Sequence, residues 1–255
     1  MINAAAARVI GRSHVASGLN CQDAVAVIQR RGTACIALAD GAGSKSRSEI
    51  GAQVASTRAA KATLGCFDQL FALANSKPLH AARLILDPVL VALKGKNKRR
   101  QEPFDSLAST LLFAAYKDGR YVAGHLGDGV ICIKQGPAVR LLSAPENGEY
   151  ANSTYFVTDK SALTHFRLYA GVAGNEFGAI LMSDGTAESL YERSTGRIGS
   201  AAQKILDWSA TLSPKRMEAV LTANLNQVFS RKSSDDCSIA VMTVKAPEFG
   251  LSRRK

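Results

Sequence analysis

Ala34-Cys-Ile-Ala-Leu-Ala-Asp40-Gly-Ala-Gly43 is the stretch on which the reading of the fold turns. The apolar run from Cys35 to Ala39 is too short to cross a membrane and carries no charge, as a strand covered on both faces would. Asp40 stands where that strand reaches the surface. Gly41 and Gly43 let the backbone turn tightly and let another group approach closely. Taken alone, the segment is a strand followed by a turn, because Asp-Gly is a common turn dipeptide.

Three further stretches repeat the pattern: Gly124-His-Leu-Gly127-Asp128-Gly129, Ile180-Leu-Met-Ser183-Asp184-Gly185, and Ser233-Ser-Asp235-Asp236-Cys-Ser just ahead of an apolar run. Each places an aspartate at the end of an expected strand. Carboxylates gathered from strand ends far apart in the chain form an oxygen-donor site, which suits hard ions such as Mg²⁺ or Mn²⁺. Working outward from Asp40, strands at 24–30 and 33–39 flank Arg31-Gly32, a tight hairpin. Asp23 opens the first strand and Asp40 closes the second, so antiparallel pairing sets them side by side. Two such carboxylates repel unless a cation lies between them.

The rest of the chain supplies the scaffold. Val9 to Arg12 reads as a short strand and Ser13 to Gln22 as a loop. One alanine-rich helix is expected from Glu49 to Leu73 and a second from Pro78 to Leu93, which ends in the basic run Lys94 to Arg100. That run is a solvated loop or an anion-attracting lip. A meander of short strands follows from Ser109 to Leu142, then a polar flap over 143–165. Strands come next at 166–171 and 178–183, then amphipathic helices at 198–210 and 214–230. A last strand runs from Cys237 to Val244, and the tail Leu251 to Lys255 is frayed. Many antiparallel strands with helices in separate blocks predict an α+β fold, a central sandwich of two antiparallel β-sheets flanked by α-helices. The reading is of a single domain, residues 1–255, with its core over about 9–245 and a short basic C-terminal tail.

Composition narrows the setting. The chain has 255 residues, 46% hydrophobic and 21% charged, ordinary values for a globular domain. Its net charge of +11 suits nucleic acid, an anionic membrane or phosphorylated substrates alike. Five cysteines without a C-x-x-C pair fit free thiols in a reducing compartment rather than zinc or thiol-redox chemistry. No secretory leader and no 18-residue apolar window is seen, so a cytoplasmic location is expected.

The order of these motifs resembles the PPM family, the metal-dependent type-2C protein serine/threonine phosphatases. The likeness rests on Gln22-Asp23, Asp40-Gly41-x-Gly43, Ser109-Thr110, Gly127-Asp128-Gly129, Ser183-Asp184-Gly185 and Asp235-Asp236 in that order. The opening Gly11-x-Ser-His14…Cys21-Gln-Asp23 is similar to a compact bacterial branch. The resemblance implies a phosphatase acting on phosphoserine and phosphothreonine in proteins, by attack of a hydroxide held between two divalent metal ions, Mn²⁺ or Mg²⁺. Asp23, Asp40, Asp184 and Asp235 would then be the catalytic aspartates. Asp40 would bridge the ions. The Gly41 carbonyl and Asp23 would serve one ion, Asp184 and Asp235 the other, and Asp128 a third, weaker one. Phosphorylated proteins and a cognate kinase are the implied partners of a monomer that contacts neither nucleic acid nor membrane.

The sequence departs from the family pattern at several points. Ser44, Ala108 and Gly129 are small-for-small changes. Gly18 stands where the family often has a phosphate-gripping arginine, which leaves Arg12, from the preceding strand, as the preferred substitute. Ala42 stands where eukaryotic members carry a leaving-group histidine, which leaves His14 as a candidate near the phosphate. Three other readings compete with it. Gly41-Ala-Gly-Ser-Lys45-Ser46 mimics a P-loop, but both glycine positions of that motif fail, at Ala39 and Ser44. A catalytically weak or inactive PPM-fold module that only binds is the main rival. A nucleic-acid binder has charge alone in its favour, with few aromatics near the basic runs.

Overall fold

The structure, a computed structural model, describes residues 1–98, 102–146, 154–174 and 176–245. In chain order the strands are β1 (Ile2–Val9), β2 (Ala24–Arg30), β3 (Thr33–Ala39), β4 (Leu111–Lys117), β5 (Arg120–Leu126), β6 (Val130–Gln135), β7 (Val139–Ser143), β8 (Arg167–Val172), β9 (Glu176–Met182), β10 (Tyr191–Glu192), β11 (Arg197–Ile198) and β12 (Cys237–Lys245). The helices are α1 (Arg12–Ala16), α2 (Ser48–Gly65), α3 (Phe67–Ala74), α4 (Pro78–Asn97), α5 (Ala162–His165), α6 (Asp184–Leu190), α7 (Ser200–Thr211) and α8 (Pro214–Asn224).

Two five-stranded antiparallel sheets carry the fold, in the orders β1-β12-β9-β6-β7 and β2-β3-β4-β5-β8. They stack face to face, and helices cover both outer faces. The residue-by-residue burial explains why the central strands lack apolar/polar alternation. In β3, Ala34, Ile36 and Leu38 enter the core between the sheets, while Cys35, Ala37 and Ala39 enter a second core beneath α2, α3 and α4. In β12, Ala240, Met242 and Val244 face the other sheet, while Cys237, Ile239 and Val241 face α7 and α8. A strand sandwiched on both sides must be apolar on both. The expected two-sheet architecture with flanking helices is the one observed.

The β2–β3 hairpin pairs Ala24 with Ala39 and Arg30 with Thr33, as its sequence requires. Three expectations need correction. The first strand is Ile2–Val9, paired along its whole length with β12, so the core begins earlier than residue 9 and Arg12 lies on α1 rather than on a strand. The long helix expected to Leu73 breaks at Gly65-Cys66, where Cys66 leaves helical geometry (φ −122°, ψ 24°) and the chain re-enters a helix with Phe67 and Leu70 buried. Lys94 and Lys96 belong to the last turn of α4, where cations complement the helix dipole, rather than to a loop. Arg99 and Arg100 of the basic run, residues 147–153 of the expected flap and the tail Leu251 to Lys255 lie outside the described residues. Among the described residues, no helix is long and apolar enough to cross a membrane.

Candidate metal centre

The acidic residues meet at one rim because strand register brings them there. Past the β2–β3 pairing, Asp23 and Asp40 emerge side by side. Asp40 is then fixed by the 108–110 segment: its N–H donates to Thr110 Oγ1 (2.9 Å), and its carbonyl accepts from Thr110 N–H (2.8 Å). Gly41 bridges Ser109 in antiparallel fashion, and Ala42 N–H donates to the Ala108 carbonyl (3.0 Å). The Ser109-Thr110 motif is thus the clamp on the aspartate loop. A β-carbon at Gly41 would come within 2.8 Å of the Gln22 carbonyl and of Ser48, so only glycine fits there.

The other sheet contributes through β9, β12 and β6. Ile239 and Val130 both pair with Met182, on either side of β9. Asp184, at the start of α6, therefore exits between the turn carrying Asp128 and the segment carrying Asp235. Ser183 locks the junction: its N–H donates to the Ser238 carbonyl (3.1 Å), and its Oγ accepts from Ser238 N–H (3.0 Å).

Burial and mutual repulsion dominate the electrostatics. Burial, then the charges of Asp23, Asp184, Asp128 and Asp235, hold the Asp40 carboxyl well above the usual carboxylate range. Burial, with Asp236 and Asp184 adding, pushes Asp23 up to about 8; the Ser238 and Ser183 hydroxyls ease the rise. Neither oxygen of the fully buried Asp23 carboxyl has a well-formed hydrogen bond. Burial, then Asp128 and Asp235, raises Asp184 to about 6. Asp128 is raised as well, chiefly by burial. Among the described residues, no lysine or arginine forms an ion pair with any of Asp23, Asp40, Asp128, Asp184 or Asp235. Buried charge without a partner costs several kcal/mol per ion. An orphaned buried carboxyl and an all-oxygen donor set fit divalent ions of the hard class.

Two residues singled out for substrate phosphate lie at the same rim in different settings. Arg12, on α1, donates from Nη2 at long range to the carbonyls of Arg231 (3.4 Å) and Ser233 (3.5 Å), beside the Asp235 loop. Its guanidinium is engaged with backbone. His14 Nδ1 lies 3.0 Å from Asp236 Oδ1. Asp236 is the residue that sequence reasoning passed over. Its buried carboxylate accepts from Gly11 N–H and Gln22 N–H, both at 2.6 Å, and so ties the loops that carry Asp23 and Asp235. The signal was present as the second acid of Asp235-Asp236, but nothing local distinguishes a clamp from a ligand. Among the described residues, His14, Asp235 and Asp236 are the set of three potential ligand groups whose donor atoms all lie within 4.8 Å of one another.

A sandwich of two antiparallel sheets with a carboxylate-lined rim defines a class, the proteins that hold divalent cations between strand ends. Comparison with known proteins specifies it. The family model of protein phosphatase 2C matches residues 10–226, most of the chain, and the chain belongs to that family. It is 27% identical over 177 residues to serine/threonine-protein phosphatase 3 of Escherichia coli (strain K12), a match covering 64% of this chain and 65% of that protein's length. Among solved structures, PppA, a key regulatory component of T6SS in Pseudomonas aeruginosa, superposes with a TM-score of 0.64 at 17% identity, over 94% of this chain and 96% of the other. The catalytic domain of the serine/threonine protein phosphatase PstP, in complex with two manganese ions, gives 0.63 at 16% identity, over 96% and 99%. At these identities the structural likeness establishes the fold.

Proposed function

We propose that the chain is a metal-dependent protein phosphatase that hydrolyses phosphoserine and phosphothreonine in proteins. The observation that carries the reading is the gathering of the buried Asp23 with the half-buried Asp40, Asp128 and Asp184 beside the exposed Asp235, with no lysine or arginine paired to any of them among the described residues. Asp23, Asp40, the Gly41 carbonyl, Asp184 and Asp235 would hold two ions, with Asp40 shared between them, and Asp128 would hold a third. When bound, Mn²⁺ or Mg²⁺ ions supply charge neutralisation at the phosphoryl oxygens and a nucleophile near neutral pH.

The chain's own residues place the ligands and exclude water. Thr110 holds Asp40 through its backbone, leaving both carboxylate oxygens for the rim. The Ser183–Ser238 lock sets the angle at which Asp184 leaves β9. Asp236 closes the loops around Asp23. Arg12 and His14 would meet phosphate oxygens, with Arg12 exchanging its long backbone contacts for the anion. Ala42 offers no proton donor. Phosphorylated proteins are the partners, with a serine/threonine kinase as counterpart. The five free cysteines, three of them buried, accord with a reducing cytoplasmic setting, in which the chain acts as a monomer.

A phosphopeptide panel assayed with and without Mn²⁺ tests this. Phosphate release should require the metal and fall by about 10³-fold in Asp40→Asn. Mn²⁺ binding without turnover of any phosphopeptide would instead make the chain a binding module.

A further inference from the structure

A second polar cluster joins the Asp128 turn through His125 and Glu146, and it is built around Arg167, which no motif of the rim includes. Arg167, at the start of β8, donates hydrogen bonds through both terminal nitrogens of its guanidinium and forms an ion pair through Nε. Nη1 donates to the Ala144 carbonyl (2.8 Å), Nη2 donates to His125 Nδ1 (3.1 Å), and Nε lies 3.0 Å from Glu146 Oε2. The other oxygen of Glu146 lies 2.9 Å from His165 Nδ1, whose ring stacks on Tyr155 at 3.5 Å between centroids.

Two of these contacts reach the Asp128 turn. His125 is fully buried and three residues before Asp128; Ser143 Oγ lies 2.7 Å from its Nδ1 and itself accepts from Tyr169 O–H (3.0 Å). Burial, with the Arg167 charge adding, holds the His125 pKa well below its ordinary value, so the ring is neutral and its Nδ1 accepts from Arg167. On the far side, Glu146 N–H donates to the Gly127 carbonyl (3.0 Å). Gly127 has φ +110° and packs where a β-carbon would meet Thr110 Cγ2 at 2.5 Å. The turn therefore rests against the residue that clamps Asp40.

We infer that Arg167 is a positioning residue for Asp128, joining His125, Ala144 and Glu146 so that the Gly127–Asp128 turn keeps one orientation toward the metal rim. A planar guanidinium with two fixed donor directions and an ion pair on its third edge does this where a flexible ammonium would not. Partners beyond the direct ligands commonly change metal affinity by about 10–100-fold. The inference rests on the metal-dependent reading above.

The test is direct Mn²⁺ binding, followed by the electron paramagnetic resonance of free Mn²⁺, on parent, Arg167→Met, Asp128→Asn and the double variant. Arg167→Met should weaken the loosest class of Mn²⁺ by about tenfold, leave the tighter ions unchanged, and add nothing in the Asp128→Asn background. Glu146→Gln, which keeps the backbone bond to Gly127 and the side-chain shape, should shift the same class in the same direction and serves if Arg167→Met does not fold. Unchanged Mn²⁺ binding in these variants overturns the inference, as does an equal loss of binding in the Asp128→Asn background. A parent that binds no Mn²⁺ at all overturns the metal centre, and this inference with it.

Discussion

The β4–β5 hairpin meets acids of other elements at both ends, and the two ends treat them in opposite ways. At its turn, Lys117 and Arg120 both reach Asp68 on α3, and Arg120 also lies over the Phe67 and Phe71 rings at 5.7 and 5.1 Å. Asp68 is exposed and paired, and its carboxyl is held below the usual range by its Lys117 hydrogen bond first and its Arg120 hydrogen bond next. At the other end, Thr110 and the Asp128 turn frame acids that are half-buried, raised and, among the described residues, without a cationic partner. The first arrangement is what a chain does with charge when only solubility and modest stability are at stake. The second needs a proton or a cation to neutralise it, so the contrast sets the rim acids apart from the surface acids without reference to any motif.

The largest test of the contrast concerns pH and metal. Asp23 and Asp184 have pKa values raised from 3.8 to about 8 and about 6. A raised carboxyl contributes stability that is fully present below its unfolded pKa and is lost as pH rises through its folded one. The metal-free protein should therefore lose thermal stability between about pH 4 and pH 8. Mn²⁺ should restore it, with a larger gain at pH 8 than at pH 6, because metal binds the ionised form. Asp40→Asn removes one repelling charge, so metal-free Asp40→Asn should melt no lower than the parent. A clear fall in its melting temperature would mean that Asp40 supports the fold and that the rim is not a vacated charge site.

Next in size is Asp236→Ala. It deletes a buried carboxylate that accepts two backbone N–H groups, worth about 3 kcal/mol together. Calorimetry should show a melting temperature lower by about 6–12 °C. A parental melting temperature would make Asp236 a ligand rather than a clamp. The smallest effect belongs to the paired end: Asp68→Asn should leave Mn²⁺-dependent turnover unchanged and move the melting temperature by about 2 °C at most. A large loss of activity there would erase the distinction between the two ends.

Much of this was legible before any coordinates. The β2–β3 hairpin follows from two apolar runs flanking Arg31-Gly32, and its pairing alone sets Asp23 beside Asp40. The aspartates of the rim were all readable as strand-end acids. Less legible were features that depend on distant partners. Arg12 was expected on a strand because Val9 and Ile10 are apolar, yet full-length pairing of Ile2–Val9 with β12 leaves Arg12 to start a helix. Asp236 looks like its neighbour Asp235 until Gly11 and Gln22 are seen to donate to it. Glu146, His165 and Arg167 carry no local signal, since their roles come from meeting at the base of the Asp128 turn.

The sequence by itself determined which strands are covered on both faces and that acids stand at their ends, because apolar runs and turn residues are local properties. Only the tertiary structure decided which acids face one another unpaired, which one ties loops together and which cation braces the Asp128 turn. Those outcomes depend on distances between residues up to more than two hundred positions apart in the chain, set by sheet register and stacking rather than by neighbouring residues.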